Sequence, residues 1–392
     1  MNIDLNTNKK HIYKIHDKLY DLAEFVKIHP GGVDMFNNLK PNINITPLVY
    51  SYHKNPKGIL EILPKYEIPM NELIIAYDSN FTYEKYCELK KFIYDEIHEK
   101  KLPLYWSYSE ITYNGLSISL YFGLWIYCFA NASNLSSWWM VLLAIMNTTN
   151  INLIFHEVSH YTGFKNQKMN SYLTMISYHL ICSKDWQFIH NFIHHCFTNS
   201  PDDSDFIIPN QVHRHSVDQP YIFFHRFQSL YSFIIFGIAF IYRGVIMSIK
   251  EMKPNFLCIF LILYYFGLYN TTLLYGLSSL IFAFIAQLSH IQPECIIDNK
   301  DQKNDFLCNQ VTSAINYRTD DNFTRLISFG LDIQIEHHLF PTIPHSTLRQ
   351  IQHVVRDYCK KNNIRYIENA NMYQSMVSYL KYFYEMSKPP SL

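Results

Sequence analysis

The sequence predicts a chain of two unlike parts. A small α+β module comes first, followed by an all-α membrane domain with about four membrane helices and a histidine-rich cap. Three observations carry this. Charged residues run at ordinary density through positions 1–110 and then stop, with no Asp, Glu, Lys or Arg from Ile111 to His156. A second uncharged run covers Asn255 to Pro293. The polar segments between and after these runs hold most of the 19 histidines.

The 392 residues include 33 basic and 33 acidic side chains, so the formal net charge is zero. A neutral chain offers no basic surface for phosphates, which excludes nucleic acid as the main partner. Only 17% of residues are charged, below the ~25% of an ordinary soluble domain. Mean hydropathy of −0.09 is too low for a chain that is membrane throughout. The eight cysteines are scattered without a CxxC pair, as expected of reduced thiols facing a cytosol-like compartment. No apolar stretch follows the polar Met1–Lys10 segment, so a cleaved signal peptide is not expected.

Within the first module, Lys18-Leu-Tyr20 reads as a strand and Asp21 as the start of a short helix. His29-Pro30-Gly31-Gly32 then makes a tight turn, where glycine lets the backbone approach something flat and bulky. Tyr20-Asp21, Phe25 and His-Pro-Gly-Gly together resemble the haem-binding core of cytochrome b5 over residues 8–80. The resemblance implies haem b held between His29 and His53, which is 24 residues on and the only histidine between His29 and His98. Two imidazoles suit an iron that passes single electrons without an open coordination site. Leu22, Phe25, Val33, Phe36, Leu48, Ile59 and Leu63 are the expected pocket walls. The sequence departs from that family at Asn42-Ile-Asn-Ile-Thr46, which replaces the usual Gly-x-Asp-Ala-Thr.

Residues 81–110 read as a helical connector, and residues 111–392 as the membrane domain. The 46-residue run from Ile111 to His156 holds two spans of ~20 residues turning at Asn131–Asn134, with Trp138 and Trp139 at an interface. Phe227–Tyr242 is a third, 16-residue run between Arg226 and Arg243. All boxes must reach one face, so either 227–242 lies in the interface and 255–290 forms a hairpin, or each run supplies one span. Arg243 near a helix centre would cost ~2.5–3.5 kcal/mol, which favours the first arrangement. In both, the haem module shares the face of the histidine boxes.

Three histidine clusters follow the first uncharged run: His156-x-x-x-His160, His190-x-x-x-His194-His195, and Gln334-x-x-His337-His338. Positions i and i+4 share a helix face, so paired imidazoles can meet one metal. The first cluster also spells HExxH, the zinc-protease signature. Seven imidazoles exceed the three that a catalytic zinc needs, however, and suit two metal ions. The set resembles the integral-membrane fatty acid desaturases over roughly residues 81–360. Trp186, His225–Gln228, Asp305–Ser313 and Gly330–Gln334 are further matches. Gln334 opening the third box, with the fused haem module, resembles the front-end subgroup.

The resemblance implies two non-haem irons held by His156, His160, His190, His194, His195, His290, His337 and His338, with Gln334 as a ligand or a neighbour of one. It implies O2, a fatty acyl lipid or acyl-CoA substrate and electrons from an NADH-dependent cytochrome b5 reductase. It also implies a multi-pass protein of an endoplasmic-reticulum-like membrane, with haem and boxes on the cytosolic side. The expected product is a new delta-5 or delta-6 double bond. A delta-8 sphingolipid desaturase, a related di-iron hydroxylase and an HExxH protease are the other readings. Asp202, Asp203, Asp205, Asp332 and Glu336 are candidates for orienting imidazoles. His11, His16, His98, His179, His213, His215, His225, His345 and His353 are expected at the surface or behind the ligands.

Overall fold

The structure, a computed structural model, describes residues 11–36, 39–70, 73–176, 184–200, 203, 212–217, 219–250, 255–295, 304–319, 321–328 and 330–390. His179, Asp202 and Asp205 lie outside them.

The chain is mostly helical, with a small sheet at its N-terminal end. Strands β1 (Ile12–Ile15) and β2 (Lys18–Asp21) form an antiparallel hairpin with Tyr13 opposite Tyr20. β3 (Ile43–Asn44) adds parallel to β1, and β4 (Glu67–Ile68) adds antiparallel to β2. Helices α1 (Ala23–Ile28), α2 (Thr46–Tyr52) and α3 (Pro56–Ile62) pack on the sheet around Tyr13, Ile15, Leu22, Val49 and Leu63. The departure at residues 42–46 has a local function. The Asn44 side chain accepts from the Thr46 N–H at 3.0 Å, satisfying a donor at the start of α2 that the helix itself leaves open.

α4 (Glu84–Glu99) occupies the expected connector but is no free strut. Tyr86, Leu89, Ile93 and Ile97, three or four residues apart, are fully or nearly fully buried. They face α13 (Phe306–Thr312), α15 (Gln334–Leu339, which follows the short α14, Asn322–Ser328) and α16 (His345–Lys361) in one core. Lys90 points the other way, donating to the Tyr50 and His53 carbonyls at 2.5 and 2.7 Å. Burial pulls the Lys90 amine down to about 7, and its donors meet carbonyls that the end of α2 leaves open, so α4 fastens the N-terminal module to the cap.

Four long helical rods carry the other end of the cap. α5 (Tyr108–Ala130) starts at a capping box of Ser107 and Glu110. The chain turns at Ala132–Asn134 and returns through α6 (Trp138–Thr148) and α7 (Asn150–Ser159), which meet at a break at Thr149. α11 (Gln228–Lys250) leads away from the cap and α12 (Asn255–Gln287) returns to it. Among the described residues, two stretches, Trp138–Ser159 and Ile259–Gln287, are long and apolar enough to cross a membrane. Large apolar side chains stand exposed on the rods, among them Leu116, Leu120 and Ile126 on α5, Leu230 and Ile234 on α11, and Leu268 on α12. An exposed apolar surface of this kind marks contact with lipid.

The expected interfacial helix with a hairpin inside 255–290 is not what forms. α11 runs on through Arg243 for 23 residues, and α12 only kinks, at Gly267 (φ 72°, ψ 171°). The pairing rests on close backbone contact. A Cβ on Gly276 would lie 3.4 Å from the Gly237 carbonyl, and the Ser279 hydroxyl donates to the Phe236 carbonyl. Small residues at a crossing allow such an approach between membrane helices. Each run therefore supplies one rod, the second of the two arrangements.

Gly330 shapes the entry to α15. Its φ is +88°, and a Cβ there would sit 2.6 Å from His345 Cδ2 and 2.9 Å from Leu153 Cδ1. Left-handed backbone costs an L-residue roughly 1–2 kcal/mol, and overpacking adds about 1–3 kcal/mol. Gly330→Ala should lower the thermal midpoint of the detergent-solubilised protein by several degrees, read by intrinsic fluorescence. An unchanged midpoint would contradict the strain.

Candidate metal centre

Each histidine box owes its aim to local backbone. On α7, His156 and His160 are four residues apart, and their ring centroids lie 4.8 Å apart. Box two follows α8 (Gln167–Ile176) and α9 (Lys184–Phe188), but its histidines do not share one α-helical face as expected. Ile189–His194 is a π-helical turn, leading into the short α10 (His195–Phe197). The wider turn brings His190 and His195 to one side and aims His194 elsewhere. On α15 the adjacent His337 and His338 diverge, as successive helical residues must.

Eight imidazoles meet as two adjoining groups. His156, His160, His190, His195 and His337 form one, and His194, His290 and His338 the other, with candidate ligand atoms within 4.8 Å of one another in each. All eight are the residues the sequence singled out. They are buried, and the groups abut, with His195 and His338 rings 4.4 Å apart. Gln334 lies in the smaller group, its side-chain amide 3.0 Å from His290 Nε2.

Hydrogen bonds behind the rings decide which nitrogen faces inward. His194 Nδ1 is 3.0 Å from the fully buried Asp203 carboxylate. His290 Nδ1 is 3.1 Å from the Ser313 carbonyl. His338 Nδ1 is 3.1 Å from Gln310 Oε1 and from Thr198 Oγ1. His160 Nδ1 meets the Tyr52 hydroxyl at 3.1 Å. In each case Nε2 is left on the cluster side, the arrangement that fixes the tautomer of a metal-ligating histidine. Burial and neighbouring imidazoles hold His195, His337 and His338 well below the usual histidine range, so these rings are neutral. Neutral imidazole is the ligating form. Nε2 of His160, both nitrogens of His195 and His337, and Nε2 of His338 are buried without a protein partner. Leaving such groups unsatisfied costs about 1–3 kcal/mol each, and a cation among them removes that cost.

Asp203 thus stands behind a cluster imidazole, where the sequence analysis expected it. Asp332 and Glu336 do not touch the cluster imidazoles. Asp332 is held by Arg349, Thr319 and Ser328, and Glu336 by Asn316 and Tyr366. Gln310, Thr198 and Tyr52 were not singled out for such a role, because hydrogen-bond partners distant in sequence leave no local spacing to read. His345 stands directly behind the cluster, its ring 4.9 Å from that of His337 and its Nδ1 3.0 Å from Glu157. His213, His215 and His225 are buried against other parts of the cap rather than exposed. The Glu157 carboxylate accepts from Trp106 Nε1, the His345 N–H and His345 Nδ1 at 2.7, 2.7 and 3.0 Å. It is committed to structure and is not the waiting base of an HExxH protease.

A cavity lies in the N-terminal module between His29 and His53. The two rings are 6.0 Å apart at their centroids. Metal–imidazole bonds of about 2 Å on each side fill such a gap with one ion. His53 Nδ1 is 3.1 Å from the Val49 carbonyl, leaving Nε2 for the cavity. Leu22, Phe25, Phe36, Leu48, Ile59 and Leu63 line the walls as expected, but Val33 is 46% exposed and does not. A Cβ on Gly31 would run into Met35 Sδ and His29 Cε1, so any side chain there must displace Met35 or the His29 ring. Gln187, Phe188, Asn191 and Phe192 close the cavity from box two.

Two adjoining nests of buried imidazoles at one end of helices with exposed apolar faces define a membrane-bound metal protein. The chain belongs to the fatty acid desaturase family, whose model matches residues 134–370. It is an oxidoreductase, a desaturase with an iron-binding histidine cluster. It is similar to the acyl-lipid (8-3)-desaturase B of Dictyostelium discoideum, with 23% identity over 99% of this chain and 94% of that one. It is also similar to the delta(8)-fatty-acid desaturase of Euglena gracilis (23%, over 94% and 93%). The acyl-lipid (8-3)-desaturase of Physcomitrium patens is 24% identical, over 90% and 83%. No solved structure matches.

Asp203→Ala should release His194 from its orientation and weaken metal retention about 10–100-fold, read as metal content after graded chelator treatment. Retention equal to the unaltered protein would contradict the orienting role.

Proposed function

We propose that this chain is a front-end acyl desaturase with a fused haem donor. The observation that carries this is the pairing of two adjoining imidazole groups with a bis-histidine cavity that shares walls with box two. His156, His160, His190, His195 and His337 hold one iron. His194, His290 and His338 hold the other, with Gln334 beside it. Haem b sits between His29 and His53 in a module of residues 8–80. When bound, the irons and O2 supply the oxidising power that an unactivated C–H bond demands and that no side chain has.

The chain's own residues supply the rest. The ring nitrogens anchored on Asp203, Ser313, Gln310 and Tyr52 hold the ligand set in register. The rods embed the cap in the bilayer as four spans of a multi-pass, endoplasmic-reticulum-like protein, with haem and boxes on the cytosolic side. They also position the acyl chain, and positioning is the source of regioselectivity. Electrons reach His29 and His53 from NADH through a cytochrome b5 reductase. The substrate is a polyunsaturated C18 or C20 acyl chain, as lipid or CoA ester, and the new cis bond is of the delta-5 or delta-6 type. The likeness to the Euglena delta(8)-fatty-acid desaturase favours a delta-8 position as the second reading.

Expression in a host lacking polyunsaturates, fed a panel of fatty acids, should yield new bonds on the carboxyl side of existing ones, mapped by mass spectrometry. Products confined to delta-8 would select the second reading, and new bonds only in sphingoid bases would replace both. His194→Ala should abolish product formation, and full activity in that variant would contradict the di-iron reading. His53→Ala should remove the absorbance of a six-coordinate bis-histidine haem from the purified full-length protein. An unaltered spectrum would refute His53 as a ligand.

A further inference from the structure

We propose that Tyr52 carries the electron contact between the two sites, from the haem side at His53 into the histidine cluster at His160. The inference rests on the function proposed above and adds a residue that neither the family match nor the histidine boxes assign. Tyr52 is the last residue of α2 and His53 the next in the chain, so a single peptide unit joins them. Both line the haem cavity. The Tyr52 hydroxyl leaves that cavity and lies 3.1 Å from His160 Nδ1, with the Asn191 carbonyl at 3.5 Å.

The hydrogen-bond directions follow from His160. Its Nε2 is buried without a protein partner and stands in the five-histidine group. A metal on Nε2 places the ring proton on Nδ1, which donates to the Tyr52 oxygen. Tyr52 in turn donates to the Asn191 carbonyl. Lys90 holds the start of the route by donating to the carbonyls of Tyr50 and His53 on either side of Tyr52. The route from haem ligand to iron ligand is therefore covalent except for one hydrogen bond.

One electron leaves ferrous haem, which becomes ferric, and reduces one ferric iron of the cluster to ferrous. No bond forms or breaks, and the phenol keeps its proton. A one-electron reductant outside the chain restores the haem. Tyr161 and Asn191 also line the cavity, next in sequence to His160 and His190, and are the competing routes.

The test uses the full-length protein with haem and ferric non-haem iron, under nitrogen. The haem is reduced by a flash-excited flavin, and its reoxidation is followed by absorbance. Tyr52→Phe removes only the hydroxyl and should slow reoxidation about tenfold, the lower end of what losing a partner of a metal-bound imidazole costs. Tyr52→Leu, which also removes the ring, should be slower still. The haem spectrum should match the unaltered protein in both, and rates are compared per loaded iron. Tyr66→Phe, on the far side of Phe25 at 5.5 Å, is the control and should react at the unaltered rate. Equal reoxidation rates, per loaded iron, in whichever Tyr52 variant keeps both cofactors would overturn the proposal and point to Tyr161 or Asn191. Failure of the unaltered protein to bind haem, or to pass its electron on, would instead overturn the function on which the proposal rests.

Discussion

Eight imidazoles from four separate stretches of chain must share one buried volume, and most of the architecture follows from that demand. A neutral ring nitrogen buried without a partner is costly, and this cluster buries several. Only a cation meets them all at once. Every helix that brings a ligand must therefore end at the same level. The rods satisfy this as two hairpins, α5 with α6–α7 and α11 with α12, each of which leaves the cap and returns with a histidine at its end.

The protein spends its irregular backbone where ligands are aimed. A straight α-helix cannot send His190 and His195 to one group and His194 to the other, and the π-helical turn at Ile189–His194 does so. Gly330 takes the left-handed conformation that starts the turn leading into α15, which carries His337 and His338. The same economy joins the two sites. Phe188 and Phe192, beside the box-two histidines, pack into the core of the N-terminal module. The wall of one site is thus the scaffold of the other, and no separate linker sets the distance between them.

Much of this was legible in the sequence. Box spacing named seven of the eight clustered histidines, the family resemblance added His290, and the His-Pro-Gly-Gly turn with His53 named the cavity. The uncharged runs placed the rods, since absence of charge over 46 residues has one economical explanation. Three things were not legible. The π-helical turn follows from packing on both sides of box two and has no periodicity of its own. The path of α11 depended on Gly237 meeting Gly276, a contact between distant residues, and the cost of Arg243 argued against it. The partners of the ring nitrogens come from Tyr52, Asp203, Gln310 and Ser313, and of these only Asp203 lay close enough to its histidine to be suspected.

The proposed function requires the two imidazole groups to be two iron sites of one chain. Elemental analysis of the purified full-length protein, without added metal, tests it most directly. Two non-haem irons per chain, beyond one haem iron, is the predicted result. A single zinc, or a full complement of iron in a protein lacking both His194 and His338, would contradict it.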